Sequence, residues 1–225
     1  MTVKQFFKST AFKCIVVLLS VLLVCGVFLT VMYSFLRVTE GERLQRAVQA
    51  IYGDTDVKIY GVDGEGKPVE ISTSDENPKG LIGGTVSMSE QSADILAAYR
   101  IIYDINGGEI GDGVDDVENI LVQSVGKGGF SGGTVTCWIS LVIEGGEFAG
   151  ISKVNIASNV NQSFIGKITD GFLDGFTGDM PDGGFAIDGD NPHKVSGASK
   201  SSTAINHAVN GAVVWVRQFL GGSAQ

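Results

Sequence analysis

The residues of this chain most suited to chemistry form a short polar segment before its last long apolar run. The segment reads Ser196, Gly197, Ala198, Ser199, Lys200, Ser201 and Ser202. A glycine beside a helix start lets backbone N–H groups approach a phosphate, and the helix dipole favours the negative charge of that phosphate. Serines before a helix also form an ordinary amino-terminal cap, in which hydroxyl oxygens accept hydrogen bonds from unpaired amides. The segment therefore predicts either an anion-binding site or a serine cap.

The same segment resembles the flavinylation motif of the FMN-binding domain family, roughly Asp-x-x-Ser/Thr-Gly-Ala-Thr/Ser before an apolar helix. The family includes the G subunit of the Rnf ferredoxin:NAD oxidoreductase and the C subunit of the Na⁺-pumping NADH:quinone reductase. The resemblance implies that FMN is bound covalently, through its phosphate, to the hydroxyl of Ser199. It also implies that a flavin transferase makes this bond with FAD as the donor, so that Ser199 is an acceptor and no catalytic residue is predicted. The other cofactor-binding residues that it implies are Ser196, Gly197, Ala198, Ser201, Ser202, Ile165 and Gly166.

Two other segments match the family in chain order. Residues 129–132 read Gly-Phe-Ser-Gly and correspond to a glycine-aromatic-x-glycine turn that leads into the central strands. Residues 165–168 read Ile-Gly-Lys-Ile and correspond to a Leu-Gly-x-Lys-Ile segment, and the aromatic helix that follows it in the family corresponds to residues 172–178. The resemblance covers residues 118–219 well and residues 37–117 only in position and general character.

Three features depart from the family pattern. His193 stands where the family has an aspartate, and the acceptor is Ser199 where threonine is commoner. Residues 160–164, which read Val-Asn-Gln-Ser-Phe, replace an acidic-Thr-Pro-Gly stretch. The first change bears on recognition by the transferase, and the last bears on non-covalent flavin contacts near Ile165. A family member that has lost its flavin is therefore an alternative interpretation.

A sheet must carry these segments. Residues 98–105, 118–125, 134–143 and 148–156 are rich in β-branched and aromatic residues, and glycine pairs separate them, so the pattern predicts an antiparallel meander. The Glu144–Glu147 segment, with two central glycines, predicts a hairpin turn.

Helices are predicted on either side of these strands in the sequence. Ile205, Val209 and Val213 lie on one stripe and predict a long helix from Ser201 to Leu220. The same three-and-four spacing predicts helices at residues 165–176 and 40–51. The fold class is therefore α+β, a mainly antiparallel sheet domain with flanking helices.

One transmembrane helix is predicted near the amino terminus. Residues 14–36 contain no charge, and at ~1.5 Å per residue they exceed the ~30 Å hydrocarbon layer of a bilayer. A cleaved signal peptide is the alternative, although its apolar core is normally only about 7–15 residues long. Basic residues flank both ends about equally, so the orientation comes from the resemblance, which places the carboxyl-terminal domain outside the cytoplasm.

The predicted organisation has four parts in the cell membrane of a bacterium or archaeon. They are a cytoplasmic tail (1–13), a transmembrane helix (14–36), a membrane-proximal part of the soluble domain (37–117) and an FMN-binding region (118–225).

Composition excludes two kinds of site. The chain has 16 basic and 25 acidic residues and a net charge of −9, which argues against nucleic acid as a partner because a phosphate backbone needs a basic face. Cys137 is the one cysteine of three outside the predicted span, and no Cys/His cluster has metal-ligand spacing. We expect a buried apolar thiol at Cys137 and no metal site.

Together these features predict an electron-transfer subunit with covalent FMN in an ion-translocating, Rnf-type ferredoxin:NAD complex. Its expected partners are the other membrane subunits of such a complex, the flavin transferase and membrane lipid. The alternatives are a stand-alone anchored FMN carrier for extracytoplasmic electron transfer, or the corresponding flavin-carrying component of an NADH:quinone reductase. A non-redox, pilin-like module is less favoured, because a prepilin carries a glycine cleavage site and a glutamate at the start of its apolar run.

Overall fold

The computed structural model describes residues 10–36, 38–53, 55–63, 65–104, 116–189 and 192–222, and the chain divides into two compact units between Thr39 and Glu40. The first unit contains helix α1, Thr10–Leu36. Within it, Phe12–Tyr33 has a mean hydropathy of 3.0. Among the described residues, α1 is the one helix long and apolar enough to cross a membrane, which agrees with the predicted single span.

The second unit is built on a seven-stranded antiparallel sheet. Its strands are β1 Lys58–Val62, β2 Pro68–Glu70, β3 Val86–Met88, β4 Ala93–Asp104, β5 Asp116–Gly126, β6 Thr134–Glu144 and β7 Glu147–Val160. The spatial order is β2-β1-β4-β5-β6-β7, and β3 pairs with β4. Consecutive strands β4 to β7 are neighbours, which confirms the predicted meander. The parts predicted before and after residue 117 therefore share one sheet.

The turn between β6 and β7 has the predicted form. Glu144 pairs with Glu147, and the central Gly145 and Gly146 have φ values of +60° and +83°. Positive φ at both central positions matches the twist of the flanking strands and favours glycine.

Helices cover both faces of the sheet, which confirms the α+β class. They are α2 Glu40–Tyr52, α3 Asp170–Asp174 and α4 Ser199–Leu220. Successive strand residues point to opposite faces. Ile120 and Val122 of β5 accordingly join the core on the α4 side, whereas Leu121 between them joins the core on the α2 side.

Helix α4 lies very close to the sheet. A Cβ added at Gly126 of β5 would overlap the carbonyl oxygen of Ala204, and one added at Gly211 of α4 would lie 2.5 Å from the Cβ of Ala93. Because backbone or Cβ atoms occupy both positions, α4 has no room to shift towards the sheet. Its first residue is therefore held at a defined place beside the strands.

The helix predicted at residues 165–176 is interrupted. A 3₁₀ turn spans Ile165–Lys167, Ile168 is extended with φ −71° and ψ 122°, and α3 then begins at Asp170. The side chain of Thr169 starts α3 by accepting a hydrogen bond from the Phe172 amide at 3.3 Å. The predicted spacing of apolar residues nevertheless serves the core, since Phe172 is buried in it and Ile168 packs against it.

Candidate functional site

The polar segment singled out in the sequence forms the start of α4. Gly197 has φ +74°, and Ala198 occupies the cap position without any side-chain cap hydrogen bond. The predicted serine cap is therefore not formed. Because an uncapped helix leaves its first amides without a side-chain partner, this end of α4 keeps N–H groups and a positive dipole end for another acceptor.

Ser199 is the first residue of α4, and its side chain is exposed. Its backbone carbonyl accepts a hydrogen bond from the Thr203 hydroxyl at 2.9 Å. Its own hydroxyl makes no hydrogen bond to the residues that the structure describes. Ser196 is exposed as well, whereas Ala198 is buried beneath the turn.

Ser201 and Ser202 point into the protein and have protein partners. The Ser201 hydroxyl donates to the Gln162 side-chain oxygen at 2.9 Å. The Ser202 hydroxyl accepts from the Val195 amide at 3.0 Å and donates to the Ala198 carbonyl at 3.2 Å. Their predicted contacts with a cofactor stay a prediction, while the observed contacts hold the turn that carries Ser199.

Gln162 joins this turn to two other segments. Its side chain is 5% exposed. Its oxygen also accepts from the Phe130 amide at 3.3 Å, and its nitrogen donates to the Val160 carbonyl at 3.2 Å. A Cβ at Gly129 or Gly133 would overlap the Gln162 amide group, so Gly129 of the predicted turn and the following Gly133 make room for it, whereas Gly132 faces open space.

An exposed aromatic pair and a lysine lie around the same turn. Phe130 and Phe164 are 46% and 47% exposed, and their ring centroids are 6.4 Å apart in an edge-to-face arrangement. Lys167 Nζ lies 5.1 Å from the centroid of the Phe164 ring. A Cβ placed on Gly197 would lie 2.8 Å from the same Nζ. The amino-terminal end of α4 is thus flanked by a cation and by unburied aromatic surface.

Of the two other predicted site residues, Ile165 packs against the core and Gly166 is exposed. Both belong to the 3₁₀ turn that carries Lys167. The structure therefore brings together the motif turn, residues 164–167 and the turn at residues 129–132, three segments that are distant in sequence.

His193, which stands at the family's aspartate position, lies in an aromatic environment. Its ring stacks on Phe172 at 4.3 Å and meets Phe176 and Phe185 edge-on at 4.1 Å and 5.3 Å. Its Nε2 lies 3.1 Å from the Phe172 carbonyl, to which it donates. Burial lowers the pKa of His193 below 6.5, and the hydrogen bond to Phe172 opposes this shift. A neutral His193 imidazole therefore packs among three phenylalanines, just before the motif in the chain.

A separate cleft of about 570 Å³ runs along α4 from Thr203 to Arg217, with the loop at residues 180–188 as its other wall. Asn210 holds that loop through hydrogen bonds of 2.9 Å with the amide and the carbonyl of Phe185. Ser199 does not line the cleft. Cys137 is fully buried, and burial raises its pKa to about 12, so the thiol is unreactive, as expected.

The sequence includes Gln162 only as one of residues 160–164, which depart from the family pattern, because its own role depends on segments that meet only in the folded chain. Lys167 and Phe164 carry a weak signal. They flank the two residues, Ile165 and Gly166, to which the resemblance points, and one is basic and one aromatic.

A scan against protein-family models found no match to this chain, and a search of curated proteins found none either. Similarity to the FMN-binding domain family therefore rests on the residues quoted above.

Proposed function

We propose that this protein is a membrane-anchored electron carrier that holds FMN as a phosphoester on Ser199, within an ion-translocating ferredoxin:NAD complex of the Rnf type. The observation that carries the proposal is an exposed serine at the first residue of a 22-residue helix that has no side-chain cap. Such a helix start offers backbone N–H groups and a positive dipole end to a phosphate attached at that residue.

The charges near the turn suit a phosphate. Lys167 Nζ is so close to Gly197 that a β-carbon there would crowd it, and Lys200 is exposed in the first turn. Gly197 also has φ +74°, a conformation that glycine adopts without strain. These residues hold and neutralise an anion without any further rearrangement of the backbone.

The aromatic residues beside the turn suit the remainder of the cofactor. Phe130 and Phe164 present nearly half of their surface to solvent. A flat conjugated ring system packs well against such a pair, by stacking or edge-to-face contact. Ile165 and Gly166, between Phe164 and Lys167, add apolar surface and an unobstructed backbone.

Bound FMN would supply the electron-accepting and electron-donating chemistry, while the chain positions the ring and excludes water from one side of it. Covalent attachment keeps the cofactor at a high effective concentration and prevents its loss. This advantage is greatest if the domain lies outside the cytoplasm, where lost FMN is not replaced.

The anchor and the partners follow from the same resemblance. Helix α1 is the candidate span, and we propose that its amino terminus is cytoplasmic and that residues 40–225 are extracytoplasmic. The proposed partners are the other membrane subunits of the complex, and a flavin transferase that uses FAD to load Ser199. Co-purification with such subunits would distinguish this arrangement from a stand-alone carrier.

The test is to co-express the full-length chain with a flavin transferase and to look for fluorescence of the denatured chain in a gel. We expect the wild type to fluoresce and Ser199→Ala to lose the signal completely. Ser158→Ala is the matched control, because Ser158 is exposed near the end of β7 and is not part of the motif. Covalent fluorescence that persists in Ser199→Ala would overturn the proposal.

A further inference from the structure

The buried side chain of Gln162 contacts the motif turn, the turn at residues 129–132 and the end of β7. Its oxygen accepts from the Ser201 hydroxyl at 2.9 Å and from the Phe130 amide at 3.3 Å. Its nitrogen donates to the Val160 carbonyl at 3.2 Å. With only 5% of its surface exposed, Gln162 binds these groups where water does not compete well for them.

The contact with Ser201 determines which way Ser199 faces. Two residues along an α-helix are separated by about 200° of rotation around its axis. Ser201 is 2% exposed and tied to Gln162 on the inner side, so Ser199 is directed to the outer side. Fixing Ser201 therefore fixes the side of α4 on which the Ser199 side chain lies.

The contact with Phe130 places the aromatic turn against the same side chain. A Cβ at Gly129 or Gly133 would overlap the Gln162 amide group. With glycine at both positions, the backbone of the turn packs directly against the glutamine side chain. The Gln162 carboxamide therefore couples the rotation of α4 at Ser199 to the position of Phe130.

We propose that Gln162 is a positioning residue for the covalent loading of Ser199, an inference that rests on the function proposed above. In that transfer the Ser199 Oγ–phosphorus bond forms and the pyrophosphate bond of FAD breaks. AMP leaves, and the proton of the hydroxyl passes to solvent. Gln162 touches none of the reacting atoms; it holds the acceptor hydroxyl and the aromatic turn in one arrangement, so that the transferase meets a preorganised substrate.

The experiment measures the loading of the full-length chain in detergent by a flavin transferase with FAD. The variants are Gln162→Leu, Ser201→Ala and the double variant, with Gln218→Leu as the control because Gln218 is exposed in the last turn of α4. We expect Gln162→Leu to lower kcat/KM for the chain about tenfold, the factor for loss of the buried hydrogen bond to Ser201. Gln218→Leu should leave it unchanged.

Two readouts separate positioning from a general loss of stability. Gln162→Leu and Ser201→Ala remove the two ends of one contact, so the double variant should lose no more than the larger single loss. Hydrogen exchange, which needs no flavin, should become faster in the first turn of α4 and stay unchanged in its later turns. If Gln162→Leu does not fold, Ser201→Ala should by itself slow loading and speed hydrogen exchange in the first turn of α4, and an unchanged loading rate in this variant overturns the proposal.

The outcomes distinguish the two proposals. If the wild type takes up no flavin, the proposed function fails. If the wild type is loaded and the folded Gln162→Leu chain is loaded at the same rate, the role of Gln162 is overturned. Additive losses in the double variant also overturn it, because the two residues then act independently.

Discussion

Helices α2 and α4 cover opposite faces of one sheet, but they are attached to it in different ways. Helix α4 approaches so closely that Gly126 and Gly211 have no room for a side chain. Helix α2 packs through apolar residues such as Leu44 and ends in a polar network. In that network the Tyr52 hydroxyl lies 2.8 Å from Ser140 Oγ, and the Asn119 amide donates to the same Oγ at 2.8 Å.

The difference concerns where each polar network lies. The network of Tyr52, Ser140 and Asn119 lies between α2 and the sheet, where Tyr52 also contacts the Tyr103 ring and Lys153 of β7 pairs with Ser140. The Gln162–Ser201 contact lies at the end of α4, next to Phe130, Phe164 and Lys167. Both networks hold a helix to the sheet, and the second lies beside the turn for which we propose a ligand. Burial of polar groups alone does not identify a functional site.

The largest expected effect is the loss of stability when a side chain is introduced between α4 and the sheet. Gly126→Val should destabilise the fold by about 3 kcal/mol, because its side chain would overlap the backbone of α4. Gly83→Val is the control, since no atom lies within 4 Å of a Cβ at Gly83. The chain has a tryptophan on each side, with Trp138 in the α2 core and Trp215 in the α4 core. The effect is measured by denaturant unfolding, followed by fluorescence in chains whose single tryptophan is Trp215. Equal stability of the two variants contradicts the prediction.

A smaller effect tests whether the α2 network is purely structural. Tyr52→Phe removes the hydroxyl that contacts Ser140 and should cost about 1 to 2 kcal/mol. Loading of Ser199 with flavin should be unchanged, in contrast to Ser201→Ala. Tyr60→Phe serves as the control, because Tyr60 lies on β1, outside the network. Unfolding and the rate of loading are measured on the same samples, and slower loading of Tyr52→Phe would remove the distinction between the two networks.

The burial of Tyr52 in the same network predicts how the stability of the fold changes at alkaline pH. Burial raises the pKa of Tyr52 from 10.0 to about 12. Because the folded state keeps the phenol neutral, this contribution to stability is complete below pH 10 and is lost as the pH rises towards 12. Burial also raises the pKa values of Tyr99 and Cys137, so both groups affect stability at alkaline pH in the same direction. The stability difference between wild type and Tyr52→Phe should therefore shrink between pH 10 and 12 in denaturant titrations, and a constant difference contradicts the prediction.

The smallest effect is expected on the α4 side at acid pH. Burial lowers the pKa of His193 below 6.5 in the folded protein. As the pH falls, the imidazole is therefore protonated at a higher pH in the unfolded chain than in the folded one. The stabilising contribution is present above pH 6.5 and is lost as the pH falls through the lowered pKa. We expect wild-type stability to fall more steeply than that of His193→Gln below this pH. NMR titration of the imidazole measures the pKa directly, and a value above 6.5 contradicts the prediction.

Much of the fold follows from local pattern. The β-branched runs predict β4 to β7, the glycine pair at 145–146 predicts its hairpin, and the apolar stripe predicts α4 to within two residues. The break at Ile168 was not predictable from spacing, because its apolar side chains serve the core equally well in a turn. The short strand β3 was also missed, since three residues carry too little periodicity.

For the candidate site, the sequence points to one turn but not to the residues that support it. The motif points to Ser199 and Gly197, and in the structure Ser199 is an exposed residue at the start of α4. It does not indicate that Ser201 and Ser202 face inwards, because that depends on how α4 is rotated against the sheet. The contact between Ser201 and Gln162 spans 39 positions in the chain, and no local pattern encodes it.

The position of α4 after all seven strands has a consequence for the order of biosynthesis. The sheet face that α4 covers, including Gly126, stays open until residues 199–220 have been made, so α4 docks last. Ser199 acquires its fixed direction only at that moment. Attachment of flavin would then act as a late quality check, because chains that stop early or fail to seat the last helix would not present the acceptor.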